Sequence, residues 1–433
     1  MPYLSAATID LEQARVYALA NSRSLKKYNM SIQNSILDEK SQLYGMLPSV
    51  SAGYSASMSY IDRNWNLVNP IDTFTAGLDF SVTQIIFNGG KNFIQKAIGK
   101  IATESVRNEA LAEYFNVLDS VDNAYYAVLE SAATLKAEES SLQTAISGLA
   151  IAEIRRASGM INQGDFLKAM ADRESRENSL NQSRRSHALN IAKFKSLTGI
   201  EGPVELAQMD FDAYENLIQY LTGISDEEAD ALYDRLWKMM SESNPSLARA
   251  ALNRQRAEKN FSLAKRDYAP VISATVFSGG VNYSVANGFG SSSGGGISIR
   301  GSIPLDFWVM NNKMEKSRIS YDSSLLDYIS AEVNLETELQ SILLNAFAYA
   351  GSVLSSRRSL EYTEKHFEFV SERYRLSQSS VSDLNEASTL LINSRNSHIK
   401  SRYGFLQSLS RLRSFGAIDD EEKLIKTLMG IFS

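Results

Sequence analysis

From Ser49 to Tyr60 apolar and small polar residues alternate without a break. Val50, Ala52, Tyr54, Ala56, Met58 and Tyr60 hold one phase; Ser49, Ser51, Gly53, Ser55, Ser57 and Ser59 hold the other. Successive side chains of a strand point to opposite faces, so the pattern predicts a strand with one apolar and one hydroxyl-lined face. A barrel strand that crosses a bilayer takes about 9–11 residues of such alternation. A second strand is predicted over 74–87, where Phe74, Ala76, Leu78, Phe80 and Val82 alternate with Thr75, Gly77, Asp79, Ser81 and Thr83. A third spans about 270–285. There Ile272, Ala274 and Val276 share a phase, then Val281, Tyr283 and Val285 take the other, so a bulge is expected at Gly279-Gly280. A fourth covers about 296–307, setting Ile297, Ile299, Ile303, Leu305 and Phe307 against Ser298, Arg300, Ser302 and Asp306. Turn-forming residues join the members of each pair across Ile61–Thr73 and Asn287–Gly296.

Most of the remaining chain carries a helical pattern. Tyr114, Leu118, Val121, Tyr125, Val128, Ala132 and Leu135 step by four and three, as do Leu335, Leu339, Ile342, Ala346, Tyr349 and Val353. That spacing is a coiled-coil seam. No proline lies between Pro70 and Pro203 or after Pro304, which permits uninterrupted helix in both stretches. A helix from about 91 to 160 would run roughly 105 Å at about 1.5 Å per residue. Turn signals follow at Ser158–Asp165 and Ser377–Asp383, and returning helices end near Gly199 and Gly416, glycine being the usual stop.

The two halves repeat one another. Ser24-Leu25 recurs as Ser246-Leu247, Leu47-Pro48 as Ala269-Pro270, Lys91 as Lys313 and Ala124 as Ala346, each 222 residues on. Asp165 and Ala169 match Asp383 and Ala387 at an offset of 218. Identities are sparse; the order of elements carries the duplication. The expected division is an opening helix (1–46), a first β-hairpin (47–87), a first long helical hairpin (88–200), a linker (201–226), a second opening helix (227–268), a second β-hairpin (269–308), a second helical hairpin (309–416) and a closing segment (417–433).

Composition narrows the chemistry. A net charge of −6 over 433 residues supplies no basic field, so no nucleic-acid partner is expected. The absence of cysteine excludes disulfides, thiolate metal sites and cysteine nucleophiles. His187, His366 and His398 are far apart and lack a carboxylate and nucleophile at recognisable spacing, so neither catalysis nor a cofactor nor a metal is expected. Gly279-Gly280 and Gly294–Gly296 are not followed by a helix with Lys-Ser or Lys-Thr, so they read as bulge and loop rather than phosphate cradles. No stretch approaches the roughly 20 apolar residues of a spanning helix. Mean hydropathy is −0.22, which suits a soluble protein, but barrel strands give a weak hydropathy signal because half of each is polar. The chain runs from Met1-Pro2-Tyr3-Leu4 straight into a helical pattern and is expected to be a mature form whose secretion signal has been removed; a cytoplasmic protein with its own start is the alternative.

Four strands do not close a membrane barrel, and open edges in lipid leave backbone groups unsatisfied at several kcal/mol each. Other copies must complete the sheet. Two copies give eight strands with a filled interior, whereas three give twelve and leave a lumen for the serine-rich face.

The same residues resemble the TolC-like outer-membrane efflux protein family. Thr8–Ala14 and Asn21–Leu25 look like its opening helix, Leu47–Tyr54 like its first strand, and Val82–Lys91 like its strand-to-helix junction. Gly164–Ala169 and Val381–Ala387 look like its helix-turn tips. The resemblance implies a mainly α fold with a β-barrel part. Three chains would complete a twelve-stranded outer-membrane barrel in contact with lipid, above a periplasmic α-barrel of antiparallel coiled-coil helices. It implies an exit duct for efflux or type I secretion, working with a periplasmic adaptor (membrane fusion) protein and an inner-membrane transporter. It implies an entrance constriction at Asp383 and Glu386, which share one helix face at i, i+3 and so could form stacked acidic rings. An equal reading makes Asp383 a helix N-cap with Glu386 as capping-box partner. Asp165 reads as a cap. A basic residue that helps lock the family's entrance has no match in Ser377–Ser382. Adaptor contact is implied at the tips, with Gly159, Gly164, Asp165, Ser379 and Ser382. Tyr54, Tyr60, Phe74, Tyr283 and Phe307 would form aromatic rims of the barrel. The alternative to a channel is a coiled-coil scaffold of the cell envelope with a small soluble β domain.

Overall fold

The computed structural model of the chain describes residues 8–59, 73–278, 281–284, 288–291 and 295–430. In order these form β1 (Thr8–Ile9), α1 (Leu11–Asn21), α2 (Arg23–Tyr44), β2 (Ser49–Ser59), β3 (Thr73–Phe87), α3 (Lys91–Ala157), α4 (Gln163–Thr198), β4 (Glu205–Leu206), α5 (Glu215–Gly223), α6 (Asp226–Ser243) and α7 (Pro245–Lys265). There follow β5 (Val271–Ser278), β6 (Val281–Ser284), β7 (Gly288–Ser291), β8 (Gly296–Ser302), α8 (Phe307–Arg375), α9 (Val381–Phe415) and α10 (Glu421–Leu428). The chain divides into two units. One holds Tyr28–Asn108 and Ala248–Ala331, the other Met1–Lys27, Glu109–Leu247 and Glu332–Ser433.

The first of these units contains the sheet. β2 and β3 pair antiparallel from Ser49 opposite Thr83 to Ser59 opposite Thr73. β3 then pairs with β5 and β6, β5 with β8, and β6 with β7. Phe80 faces Ser278 and Gly77 faces Asn282, so three residues on β3 oppose four on the other strand. The register therefore shifts by one, which returns Tyr283 to the phase of Val276. The expected bulge at Gly279-Gly280 itself lies outside the described residues. A second irregularity falls between Ile85 and Phe87. The predicted fourth strand is shorter than its alternation: β8 ends at Ser302, and Phe307 opens α8. Pro304, which has no N–H for a ladder, sits in the gap.

Where β3 meets α3, Asn88-Gly89-Gly90 makes the turn with φ of 71° and 77° at the two glycines. A Cβ on Gly89 would come within 2.4 Å of the Ala269 Cβ, so both backbone conformation and close approach exclude a side chain. Nearby, Lys91 and Lys313, the pair 222 residues apart, both reach Asp267, at 2.6 and 2.5 Å.

The second unit is built on the coiled-coil seams. Leu118, Val121, Tyr125 and Val128 of α3 are buried, as are Leu335, Leu339, Ile342, Ala346 and Val353 of α8. The opening helix expected within 1–46 differs in detail. Thr8–Ile9 is a strand, paired in parallel with Glu205–Leu206. Helix then runs as two pieces broken at Ser22, whose ψ of 117° leaves the helical region. The second opening helix likewise breaks at Asn244, ahead of Pro245, which lacks the N–H to continue it. Gly199 ends α4 in the left-handed region as expected (φ 72°), but Gly416 does not; the positive φ there belongs to Ala417, at 50°.

A buried ion cluster ties this unit together. The Asp122 carboxylate is 0% exposed. It accepts from Arg15 Nε and Nη2 at 2.7 and 2.8 Å, from Arg413 Nη2 at 2.8 Å and from Ser410 Oγ at 2.9 Å. Arg15 also pairs with Glu12. Burial alone would lower the Arg15 pKa, but hydrogen bonding and charge pairing with Asp122, helped by Glu12, leave it raised. Residues from α1, α3 and α9 are thereby fixed at one point.

Candidate functional site

Two features lack an explanation as ordinary packing: the faces of the sheet and the turns of the two helical hairpins.

The ladder registers sort the strand residues by chemistry. On one face Val50, Ala52 and Tyr54 oppose Val82, Phe80 and Leu78, and beyond them Ala274 and Val276 oppose Ile299 and Ile297. Apart from the half-buried Ala274 their side chains are exposed, Tyr54 to 86% and Ile297 to 76%. On the other face Ser51 Oγ meets Ser81 Oγ at 2.8 Å and Thr83 Oγ1 meets Thr275 Oγ1 at 3.0 Å. Phe277, Val271 and Ile85 are apolar exceptions on that face; the Phe277 ring lies over Gly296, where a Cβ would approach it to 3.0 Å. Of the five aromatic residues expected at rims, Tyr54 stands on the apolar face. Tyr60 lies outside the described residues. In the ladders Phe74 of β3 stands opposite Met58 and Tyr283 of β6 opposite Ala76. Phe307 belongs to a helix and stacks on Tyr268, with ring centroids 6.5 Å apart.

The hairpin turns are copies of each other. In the first, Gly159 N–H donates to Arg156 O and Met160 N–H to Arg155 O; in the second, Ser377 N–H donates to Tyr374 O and Gln378 N–H to Arg373 O. Gly159 and Ser377 both take positive φ, 70° and 64°. Next comes a cap. Asn162 caps α4 by accepting from Asp165 N–H at 2.9 Å, and Ser380 caps α9 by accepting from Asp383 N–H at 3.1 Å. The offset of 218 found in the sequence thus holds through the whole motif. It also corrects two expectations. Neither Asp165 nor Asp383 is the N-cap; each is the third helical residue, and Glu386 plays no part in the capping box. Asp383 closes the box by accepting from Ser380 N–H at 2.9 Å, and also from Ser379 Oγ at 2.9 Å. Those bonds hold its carboxyl below the usual range although it is exposed. Glu386, three residues on, is exposed on the same helix face. Gly164 lies in the first turn of α4, and Ser382 accepts from Lys168 Nζ at 3.2 Å.

Between the turns Ala152, Ala169, Tyr374, Val381 and Leu384 form a small apolar core, with Phe166 and Phe367 against it. Tyr374 O–H donates to Gly148 O at 3.2 Å, and the Arg155 guanidinium covers its ring at 4.2 Å. Arg155 reaches Ser379 O at 3.5 Å, so one α3 side chain touches the other hairpin's turn. Sequence reading missed Arg155, Tyr374 and Lys168. Their only signal is position: within the last turn of a long helix or the first two turns of its return.

A model of the outer membrane efflux protein family matches residues 15–199 and 236–415. The chain therefore belongs to the outer membrane efflux protein family. No curated protein matches it in sequence. Its fold is that of solved channels. The outer membrane protein VceC of Vibrio cholerae superposes with a TM-score of 0.75 at 16% identity, over 94% of this chain and 96% of that one. The CmeC outer membrane channel of Campylobacter jejuni gives 0.77 at 16% identity, over 98% and 90%. The MtrE outer membrane channel of Neisseria gonorrhoeae, in its open state, gives 0.75 at 13% identity, over 94% and 88%. The mainly α, TolC-like fold expected from the sequence is the one observed.

Proposed function

We propose that three copies of this chain form the outer-membrane exit duct of an efflux or secretion system, passive in itself and driven from the inner membrane. The observation that carries this is the sheet. Its apolar face is a contiguous exposed surface of valine, isoleucine, leucine and aromatic side chains, the kind of surface that marks a membrane or protein interface. Its other face is lined with hydroxyls, which suits water. Among the described strands β2 pairs only with β3 and β8 only with β5, so both outer edges are open. Lipid against one face, water against the other and neighbours at both edges satisfy all three demands at once.

The similar structures are named as outer membrane channels, which supports the same reading. The duplicated turns, with small and polar residues at Gly159, Gly164, Ser379 and Ser382, are the proposed contacts for a periplasmic adaptor. Asp383 and Glu386 are the proposed acidic constriction. Capping and constriction are compatible roles, because the cap consumes Asp383 acceptor sites but leaves its negative charge. The test is mass and single-channel conductance of the chain purified in detergent. A conducting trimer is expected; a non-conducting monomer, or a species soluble without detergent, would refute the reading and favour an envelope scaffold.

A further inference from the structure

Among the described strand residues the sheet carries one acidic and one basic side chain, Asp79 of β3 and Arg300 of β8. Both lie on the hydroxyl face. Asp79 stands opposite Gly53 in the β2–β3 ladder, and Arg300 stands opposite Ser273, which in turn faces Ile85. A Cβ on Gly53 would meet the Asp79 carboxylate at 2.7 Å, so the carboxylate occupies the space that glycine leaves. Six residues of β3 separate Asp79 from Ile85, about 20 Å of strand, so within one chain the two charges do not pair.

The duplication sets their relative height in an assembled barrel. Ser49 and Val271 are equivalent, being 222 residues apart and one residue after the matching prolines. Ser49 pairs with Thr83 and Val271 with Ser302, so Thr83 and Ser302 are equivalent across the two hairpins. Arg300 then corresponds to Ser81, the next position on the same face from Asp79. If the six hairpins of three chains take equivalent places, Asp79 and Arg300 stand within about 7 Å of the same level. Resting on the trimeric duct, we propose that Asp79 and Arg300 form one belt of alternating charge around the water-filled wall, three acids and three bases. The belt has no net charge. It leaves the barrel wall without preference for either sign of ion and presents a zwitterionic ring to solutes passing it. Each residue determines selectivity by cancelling the other.

The experiment is the reversal potential of single channels in a planar bilayer under a KCl gradient, at about 0.01 M salt, where charges act over about 30 Å, and again at 1 M. Arg300→Gln is expected to raise the cation-to-anion permeability ratio about twofold over the parent channel at low salt, and Asp79→Asn to lower it about twofold. The double variant should return to the parent value, Arg300→Lys should keep it, and all differences should fade at 1 M. Single variants that leave the ratio unchanged, or a double variant displaced further than either single one, would overturn the belt. A silent parent channel would overturn the duct itself, so the two failures are distinct.

Discussion

Replacing Asp122 by Asn tests the buried ion cluster. The substitution keeps shape and removes one charge. Oδ2 accepts three hydrogen bonds, from Arg15 Nη2 at 2.8 Å, Arg413 Nη2 at 2.8 Å and Ser410 Oγ at 2.9 Å, and Oδ1 accepts from Arg15 Nε at 2.7 Å. An amide NH2 in either position points donors at donors. Arg15 and Arg413 are 6% and 2% exposed, so neither guanidinium reaches water without opening the packing. Breaking a buried pair in this way costs about 3–5 kcal/mol. For cooperative unfolding of the roughly 270-residue unit that holds the cluster, at about 2.1 cal/mol/K per residue, this is a fall in Tm of about 5–9 °C. The assay is thermal unfolding in detergent by circular dichroism, at one scan rate for all variants. Raising salt to 1 M should leave the difference intact, because buried pairs are poorly screened. The triple change Arg15→Met, Asp122→Leu, Arg413→Met should recover much of the loss, since apolar replacement of a whole buried cluster is often neutral. An Asp122→Asn variant that melts with the parent, or a triple variant no better than the single one, would refute the reasoning.

Ser377 carries the positive φ of the second hairpin turn where the first has Gly159, so Ser377→Gly should stabilise the hairpin by about 0.5–1 kcal/mol, read as a raised Tm; a lowered Tm would count against strain there. His398 is half-buried between α8 and α9, with Nδ1 3.2 Å from Ser356 Oγ and with Arg402, Arg357 and Glu364 around it. Burial first, then the two arginines, lowers its pKa from 6.5. The fold therefore favours the neutral ring. That stability is complete above the unfolded value of about 6.5 and is lost as pH falls through the lowered one. Tm should drop between pH 7 and 5, and His398→Gln should flatten the drop; an equal slope in both proteins would assign the pH dependence elsewhere. In bilayer recordings the double change Asp383→Asn, Glu386→Gln should weaken cation selectivity, and unchanged selectivity would remove these residues from the constriction.

The sequence by itself determined the fold class, because its evidence is periodic and local. Alternation at period two in Ser49–Tyr60 and four-three spacing from Tyr114 are read directly from side chains that must share a face. The change of phase between Val276 and Val281 was enough to foresee a one-residue register shift. Caps were less legible. Asp-x-x-Glu at Asp383 imitates a capping box, and only the backbone shows that Ser380, three residues earlier, is the cap. The last strand was overextended because Ile303, Leu305 and Phe307 keep alternating after the ladder stops; alternation records a face, not a hydrogen bond. What only the tertiary structure decided is long-range. Asp122 joins Arg15 and Arg413 from opposite ends of the chain, and Arg155 settles on Tyr374. No local pattern carries such pairings, because they depend on which residues the duplicated hairpins bring side by side.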